Sequence, residues 1–145
     1  MKKINVVLYE PEIPDNVGNI IRTCACYDVA LYVIEPVGFT WKDRGLKKSQ
    51  MDYRAHVTIL HSWMEFKEIL GPNRLILTTP HTKTSIFDFE FNDNDFILFG
   101  RESNGVEVEI AAQCTNMITI PMHGRTRSFN LATCVAMTLV VMDGQ

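Results

Sequence analysis

Short apolar segments rich in β-branched and aromatic residues recur along the chain, and stretches with helical periodicity separate most of them. The apolar segments are predicted as six strands, at residues 4–9, 31–35, 57–60, 74–79, 96–99 and 117–121. The first is apolar almost throughout, which is typical of a strand buried on both faces of a parallel sheet. This rhythm predicts an α/β fold with a mostly parallel sheet flanked by helices.

The segments between the strands predict five helices. Capping residues and apolar spacing place them at residues 15–27 (capped by Asp15 or Asn16), near 44–51, at 63–70, near 106–114, and in the closing apolar run 132–141. Ser128 is the predicted N-cap of the closing helix. Phe87, Phe89 and Phe91 alternate, which favours a short extra strand or a hairpin arm.

The composition is that of one globular domain, predicted to span residues 1–145. With 46% hydrophobic and 21% charged residues, the chain can bury a core. The apolar run at the N-terminus is too short for an export signal, and no segment approaches the length of a membrane span. The four cysteines form no CxxC pair and lie in apolar contexts typical of reduced, buried thiols, so we expect a cytoplasmic protein. The histidines show no metal-ligand spacing, so no metal site is predicted.

The net charge of −3 and the pI near 5.8 argue against a protein that coats nucleic acid non-specifically. The basic residues are nevertheless concentrated in two segments. One contains Lys42, Arg44, Lys47 and Lys48, and the other contains Arg125 and Arg127. These segments are candidates for contact with an anionic partner, and the alternative is a solvated lysine-rich surface.

The carboxyl ends of parallel strands are where α/β proteins bind ligands, and three strand ends here carry unusual loops. They are Thr78-Thr79-Pro80, Gly100-Arg101-Glu102 and Pro121-Met122-His123. The glycine-bracketed Glu102 is suited to accept hydrogen bonds from a nucleoside, yet the loop matches neither a dinucleotide-binding motif nor a P-loop. An ordinary strand-to-helix turn is the alternative for each loop.

The first helix carries a second candidate group. Asn16, Asn19 and Arg22 are spaced at intervals of three, so two amides and a guanidinium are predicted to share one stripe. A guanidinium in such a place can fork onto a phosphate. The alternative is a surface ion pair between Arg22 and Asp28 or Glu10, with the asparagines serving only as helix caps.

Three segments, taken together, resemble the three motifs of the SPOUT class of RNA methyltransferases. They are residues 7–22, with Leu-Tyr-Glu-Pro-Glu-Ile-Pro followed by Asn-Val-Gly-Asn-Ile-Ile-Arg; residues 99–105, Phe-Gly-Arg-Glu-Ser-Asn-Gly; and residues 120–131, with Ile-Pro-Met and Arg-Ser-Phe-Asn-Leu. The chain is most similar to the minimal, single-domain members that methylate the 2′-hydroxyl of the tRNA wobble nucleotide. The resemblance spans nearly the whole chain.

The resemblance implies a C-terminal segment threaded into a deep trefoil knot, S-adenosylmethionine as cofactor, and a homodimer. By position, the implied cofactor-binding residues are Leu77, Thr78, Gly100, Ile120, Met122, Ser128 and Leu131. The residues associated with the reaction are Arg22, Glu102, Ser128 and Asn130. The implied RNA-binding residues are Asn16, Arg22, Lys42, Arg44, Lys47, Lys48, Arg125 and Arg127, with the tRNA anticodon stem-loop as partner.

The predicted reaction is 2′-O-methylation of the ribose at the wobble cytidine or uridine, position 34 of tRNA, with no metal. The sequence leaves two alternatives open: methylation of another tRNA or rRNA ribose, and a non-catalytic RNA-binding module on the same scaffold. Two places depart from the nearest relatives. Arg101 stands where they commonly have proline, and residues 123–126 differ from their usual loop.

Overall fold

The computed structural model describes residues 1–145 and contains one six-stranded sheet. The strands are β1 (Asn5–Tyr9), β2 (Ala30–Ile34), β3 (Val57–Leu60), β4 (Leu75–Thr78), β5 (Phe96–Phe99) and β6 (Asn116–Ile118). Their order across the sheet is β3-β2-β1-β5-β4-β6, and every neighbouring pair is parallel. The predicted parallel α/β sheet is confirmed.

Helices cover both faces of this sheet. They are α1 (Pro14–Tyr27), α2 (Arg44–Gln50), α3 (Trp63–Leu70), α4 (Val108–Ala111) and α5 (Leu131–Asp143). Val6 and Leu8 of β1 face α1 and α5, whereas Val7 and Tyr9 face the side covered by α3 and α4. Both faces of β1 are therefore buried, as its continuous apolar sequence predicts.

Helix α1 packs closely on α2 because a glycine lies at the contact. A Cβ atom added to Gly18 would collide with the Ser49 hydroxyl and come within 2.6 Å of the Leu46 carbonyl oxygen. Leu46 is buried in the same core as Val17 and Ile20. The absence of a side chain at Gly18 thus lets the basic helix α2 lie close to the backbone of α1.

Two of the predicted elements differ from those in the structure. The Phe87–Phe91 segment contains a 3₁₀ turn, Ile86–Asp88, instead of a strand or hairpin arm. Only Phe91 of the three phenylalanines is fully buried, while the side chain of Phe87 is 69% exposed. Helix α4 is a single turn, much shorter than the predicted 106–114.

Two predicted helix caps are also wrong. Asn130, not Ser128, is the N-cap of α5, because its side-chain oxygen accepts from the Thr133 backbone N–H at 3.2 Å. Helix α1 begins at Pro14, so Asp15 and Asn16 lie inside its first turn instead of capping it. Proline suits this first position because its missing N–H would have no intrahelical partner.

The cysteines are all free, and their exposure differs from the predicted uniform burial. Cys24 is buried, Cys114 and Cys134 are half-buried, and Cys26 is exposed on α1. None of the helices combines the length and the apolar character that crossing a membrane requires.

The sheet order creates a switch point between β1 and β5. The two strands are neighbours, but the connection after β1 leads to α1 on one face and the connection after β5 leads to α4 on the other. Loops that diverge in this way leave a crevice beyond the carboxyl ends of the strands, where ligands bind in open α/β sheets.

Candidate active site

A cavity of about 1040 Å³ opens at the carboxyl edge of the sheet. Its walls are the loops that follow β4, β5 and β6, together with the start of α1 and the start of α5. The lining residues fall mainly within 77–81, 99–106, 117–122 and 127–131, and include Ile13 and Asn16. The volume is in the range of small-molecule binding sites.

Glu102 joins the β5 loop to the start of α1. One carboxylate oxygen accepts from the backbone N–H of Glu12 at 2.8 Å, and the other accepts from Ile13 N–H at 2.9 Å and from the Asn16 side-chain amide at 3.2 Å. A negative charge at the N-terminus of a helix is favourable because the first N–H groups are otherwise unpaired. Glu102 therefore fixes the backbone immediately before α1 and places a negative charge at the N-terminus of this helix.

The same network continues into α5. The Asn130 side-chain amide donates to the Asn16 side-chain oxygen at 2.9 Å, while the Asn130 oxygen caps α5 through Thr133. Asn16 is 6% exposed, and both the nitrogen and the oxygen of its side-chain amide form hydrogen bonds shielded from solvent. The chain of contacts from Glu102 to Asn130 fixes three separate segments at one end of the cavity.

A second contact parallels the first. The Glu12 carboxylate accepts from the Ser103 backbone N–H at 2.9 Å and from the Ser103 hydroxyl at 3.0 Å. These hydrogen bonds, with the positive charge of Arg101, hold the pKa of Glu12 below its ordinary value. Glu12 and Glu102 thus bind each other's backbone segments reciprocally.

Thr78 shows that the cavity suits a polar ligand. Its hydroxyl is buried at the end of β4 and has no hydrogen-bond partner in the protein. A buried hydroxyl without a partner costs free energy, and such groups are commonly satisfied by a bound molecule. Apolar side chains such as Leu77, Ile120 and Leu131 line the same cavity, so both apolar and polar parts of a nucleoside-like cofactor find matching surfaces.

The structure brings most of the sequence-predicted site residues together. Eleven of them line the cavity: Asn16, Leu77, Thr78, Gly100, Glu102, Ile120, Met122, Arg127, Ser128, Asn130 and Leu131. This set contains all seven positions predicted for the cofactor. Segments that are far apart in sequence therefore meet at a single cavity.

Other predicted residues lie outside the cavity. Lys42, Arg44, Lys47 and Lys48 are exposed on α2 and in the segment before it, and Arg125 is exposed beside the cavity. Arg22 is exposed on α1, where its guanidinium lies 4.9 Å from the centre of the Tyr53 ring and 3.5 Å from the Met51 sulfur.

The predicted stripe on α1 is therefore broken. Asn16 turns inwards, whereas Asn19 and Arg22 face solvent. Arg22 forms neither of the alternative ion pairs with Asp28 or Glu10, since Glu10 is bound by Arg101. Within one copy of the chain, the structure does not bring Arg22 to the cavity.

Sequence reasoning missed several residues of the site. His81 lines the cavity, whereas His123, which belongs to one of the three candidate loops, does not. Glu12 and Ser103 were not singled out either. The adjacency of β1 and β5 was the missing information, because it places the loops after these strands side by side. No group of three or more His, Cys, Asp or Glu side chains is arranged to hold a metal ion.

The parallel sheet carries a ligand cavity at its carboxyl edge, and the three segments with RNA methyltransferase motifs form part of the cavity wall. Together these features indicate the class of protein. The sequence profile of the SpoU rRNA Methylase family matches residues 3–140, and the chain belongs to this family. The predicted RNA methyltransferase resemblance is confirmed.

The relatives include a tRNA (cytidine(34)-2′-O)-methyltransferase from Escherichia coli strain K12. It is 39% identical over 140 residues, which cover 94% of this chain and 89% of that protein. A structure solved to explain the 2-OH methylation of C/U34 on tRNA superimposes with a TM-score of 0.94 at 33% identity, covering 98% of this chain and 95% of the other. The SpoU methyltransferase AviRb from Streptomyces viridochromogenes, solved with AdoMet, shares the fold, with a TM-score of 0.81 at 23% identity over 97% of this chain and 59% of that one.

Proposed function

We propose that the protein transfers a methyl group from S-adenosylmethionine to the ribose 2′-hydroxyl of nucleotide 34 of tRNA. One observation carries the proposal. The three motif loops converge on one cavity in a chain that is 39% identical, over 94% of its length, to an enzyme named for this reaction. The chain is therefore assigned as a tRNA ribose 2′-O-methyltransferase that acts on a wobble cytidine or uridine.

The cavity between Gly100 and Ser128 is the proposed cofactor site. The cofactor supplies an electrophilic methyl group on a sulfonium when it is bound. The apolar Leu77, Ile120 and Leu131 offer surfaces for a flat base, and the unpartnered Thr78 hydroxyl offers a hydrogen bond. Gly100, Met122 and Ser128 complete the proposed site. The AdoMet-bound relative of the same fold supports this assignment.

The chain's own residues contribute mainly by orientation. Methyl transfer requires the attacking oxygen to lie in line with the bond that breaks, so accurate placement lowers the barrier substantially. Both carboxylate oxygens of Glu102 are occupied by donors, so this residue holds the site together instead of removing a proton. Asn130 is fixed by Asn16, and Ser128 precedes it in the wall of the cavity.

A second copy of the chain explains the position of Arg22. Arg22 follows Asn16 by six residues, which is about 9 Å along a helix, and it faces solvent. We infer a homodimer in which Arg22 reaches the cavity of the partner and orients the attacking hydroxyl. Helix α5 supports an interface because its sequence carries no charge before Asp143, yet its Val140 is 59% exposed. A helix that is apolar all round is normally buried.

Two basic segments lie at the carboxyl edge of the sheet, one beside the cavity and one at α2. The segment that carries Lys42 and the start of α2 follows β2, so these residues lie beyond the same carboxyl edge as Arg125 and Arg127. We propose that Lys42, Arg44, Lys47 and Lys48 contact the phosphates of the tRNA anticodon stem-loop. Phosphate contacts position a nucleic acid without reading its sequence. A tRNA substrate also supports a cytoplasmic location for the proposed enzyme.

The C-terminal segment is proposed to be threaded as a trefoil knot, within a single domain formed by residues 1–145. The contacts around Thr119 support the threading. Its N–H donates to the Thr84 carbonyl and its carbonyl accepts from Ile86 N–H, both at 2.8 Å, while Thr79 N–H donates to the Ile118 carbonyl. These hydrogen bonds tie the chain after β6 to the connection that follows β4.

The test is methylation of bulk tRNA with isotope-labelled S-adenosylmethionine, followed by nuclease digestion and mapping of the labelled nucleoside. The proposal predicts label in a 2′-O-methylated nucleotide at position 34. Label in another ribose would move the activity to a different RNA site. Binding of tRNA without any methyl transfer would instead support a non-catalytic RNA-binding module.

A further inference from the structure

Arg101 forms the centre of a charged cluster at the rim of the cavity. Its Nη1 atom lies 3.2 Å from a Glu10 carboxylate oxygen and 3.1 Å from a Glu107 carboxylate oxygen. Its Nε–H donates to the Gly105 carbonyl at 3.0 Å. The guanidinium also lies 5.4 Å from the centre of the Tyr9 ring. One side chain therefore connects the end of β1, the β5 loop and the residue before α4.

These contacts occupy the guanidinium with partners from the protein itself. The Arg101 side chain is 18% exposed, and two carboxylates compete for its single charge. Hydrogen bonding from Tyr9 and the nearby charge of Arg101 keep the pKa of Glu107 below its ordinary value. Because the two carboxylates together carry more negative charge than Arg101 carries positive charge, Arg101 is poorly suited to bind a phosphate or a cofactor carboxylate directly.

The loop that Arg101 holds is narrow and forms a wall of the cavity. The backbone N–H groups of Arg101 and Gly105 each donate to the other residue's carbonyl at 3.0 Å. A Cβ atom added to Gly100 would lie 2.6 Å from the Gly105 Cα, so the two ends of the loop are in close contact. Gly105 has a φ of +64°, which glycine adopts without strain.

We propose that Arg101 is a positioning residue for the cofactor site: by neutralising Glu10 and Glu107 and holding the Gly105 carbonyl, it sets the shape of the 100–105 wall. The inference rests on the proposed function, because it concerns the site assigned to S-adenosylmethionine. Arg101 acts through the loop and does not touch the reacting atoms. Without it, two carboxylates would face each other, and the wall would lose one of its attachments to the chain after β1.

The experiment compares three proteins with the wild type. They are Arg101→Ala, the triple variant Arg101→Ala/Glu10→Gln/Glu107→Gln, and Lys3→Gln as a control that removes one positive charge at the opposite edge of the sheet. Calorimetry gives the dissociation constant of S-adenosylmethionine, and steady-state methylation of tRNA gives kcat and the KM of each substrate. Thermal unfolding of every variant is recorded, and Arg101→Gln, which also removes the charge, replaces Arg101→Ala if the latter is unfolded at the assay temperature.

Arg101→Ala is expected to weaken cofactor binding about tenfold, because the 100–105 wall would no longer be held in the shape that fits the cofactor. The kcat and the KM for tRNA should stay within about threefold of the wild type, since Arg101 does not touch the reacting atoms. The triple variant is expected to regain most of the affinity, since the repulsion between the two carboxylates is gone.

Two results would overturn the inference: unchanged cofactor affinity in Arg101→Ala, or an equal weakening in Arg101→Ala and in the triple variant. Lys3→Gln should bind the cofactor like the wild type, and a tenfold weakening there would show that any loss of positive charge has this effect. A wild type that binds no S-adenosylmethionine would overturn the proposed function itself.

Discussion

Glu102 and Glu12 are the two carboxylates that join the loops of the site, and both bind the backbone of a neighbouring segment. Glu102 accepts three hydrogen bonds, and Glu12 accepts two from Ser103. Hydrogen bonds to charged groups are stronger than neutral ones. These two acidic residues therefore hold the loops of the site in place.

The reciprocal contact between Glu12 and Ser103 predicts a stability that depends on pH. The folded protein holds the pKa of Glu12 below its ordinary value, so the unfolded chain binds more protons in acid. The contribution is present above the ordinary pKa and is lost as the pH falls through the lower, folded pKa. Glu12→Gln should lower the free energy of unfolding at neutral pH, but much less at an acidic pH below the ordinary pKa of a glutamate. Urea titrations at several pH values test this, and an equal loss at both pH values would contradict it.

The proposed role of Arg22 depends on the proposed dimer. Arg22→Ala is expected to lower kcat by about a hundredfold or more, because the attacking hydroxyl is no longer oriented. Cofactor affinity should stay nearly unchanged, since the proposed role of Arg22 is to orient the substrate hydroxyl and not to bind the cofactor. Steady-state methylation and calorimetry measure the two quantities. Full activity of the variant would refute the assigned role.

At the scale of elements, the starts of α1 and α5 are joined by side chains. Asn130 caps α5 and also binds Asn16, which in turn binds Glu102 from the β5 loop. Two helices and a loop thus depend on one residue. Changes at Asn130 should therefore affect both the stability of α5 and the geometry of the cavity.

Asn130→Ala is expected to lower the free energy of unfolding by about 1–2 kcal/mol and to reduce methylation as well. Ser62→Ala is the matched control. Ser62 caps α3 by accepting from Glu65 N–H at 3.2 Å, and α3 packs on the other face of the sheet. This control should lose about 1 kcal/mol of stability and keep its activity. Equal activity losses in the two variants would show that Asn130 acts only through stability.

The elements themselves were largely predictable from the sequence, but their ends were less so. Apolar runs located all six strands, and the helix predicted at residues 63–70 has the same bounds as α3. The start of α1 was misassigned because Pro14 opens the helix without a capping side chain, while Glu102, which is 86 residues away from Asn16 in sequence, binds the backbone before it. Ser128 is a good capping residue by type, yet the helix begins after Asn130. The capping preferences of nearby residues carry no information about contacts that another loop supplies.

At the scale of the whole molecule, the order of the strands decides where the site lies. Sequence order alone does not show that β5 inserts between β1 and β4, since this depends on how all six strands pack together. The motifs nevertheless indicated the cavity lining well, because each follows a strand and all parallel strands end at one edge. The positions outside the cavity, above all Arg22, needed the three-dimensional structure.

The proposed dimer gives a prediction for α5. Val140→Asp should shift the protein from dimer to monomer at micromolar concentrations, because it would bury an unpaired carboxylate at the interface. Met64→Asp is the control, since Met64 is 70% exposed on α3, on the opposite face. Sedimentation velocity distinguishes the two states. A Val140→Asp protein that sediments like the wild type would contradict an interface on this face.

The most direct test of the proposed activity uses a tRNA that lacks only the predicted acceptor. Two otherwise identical tRNAs, one with a ribose and one with a 2′-deoxyribose at position 34, are incubated with the protein and labelled S-adenosylmethionine. Transfer to the wobble 2′-hydroxyl predicts methylation of the first tRNA and none of the second. Equal labelling of both tRNAs would contradict it.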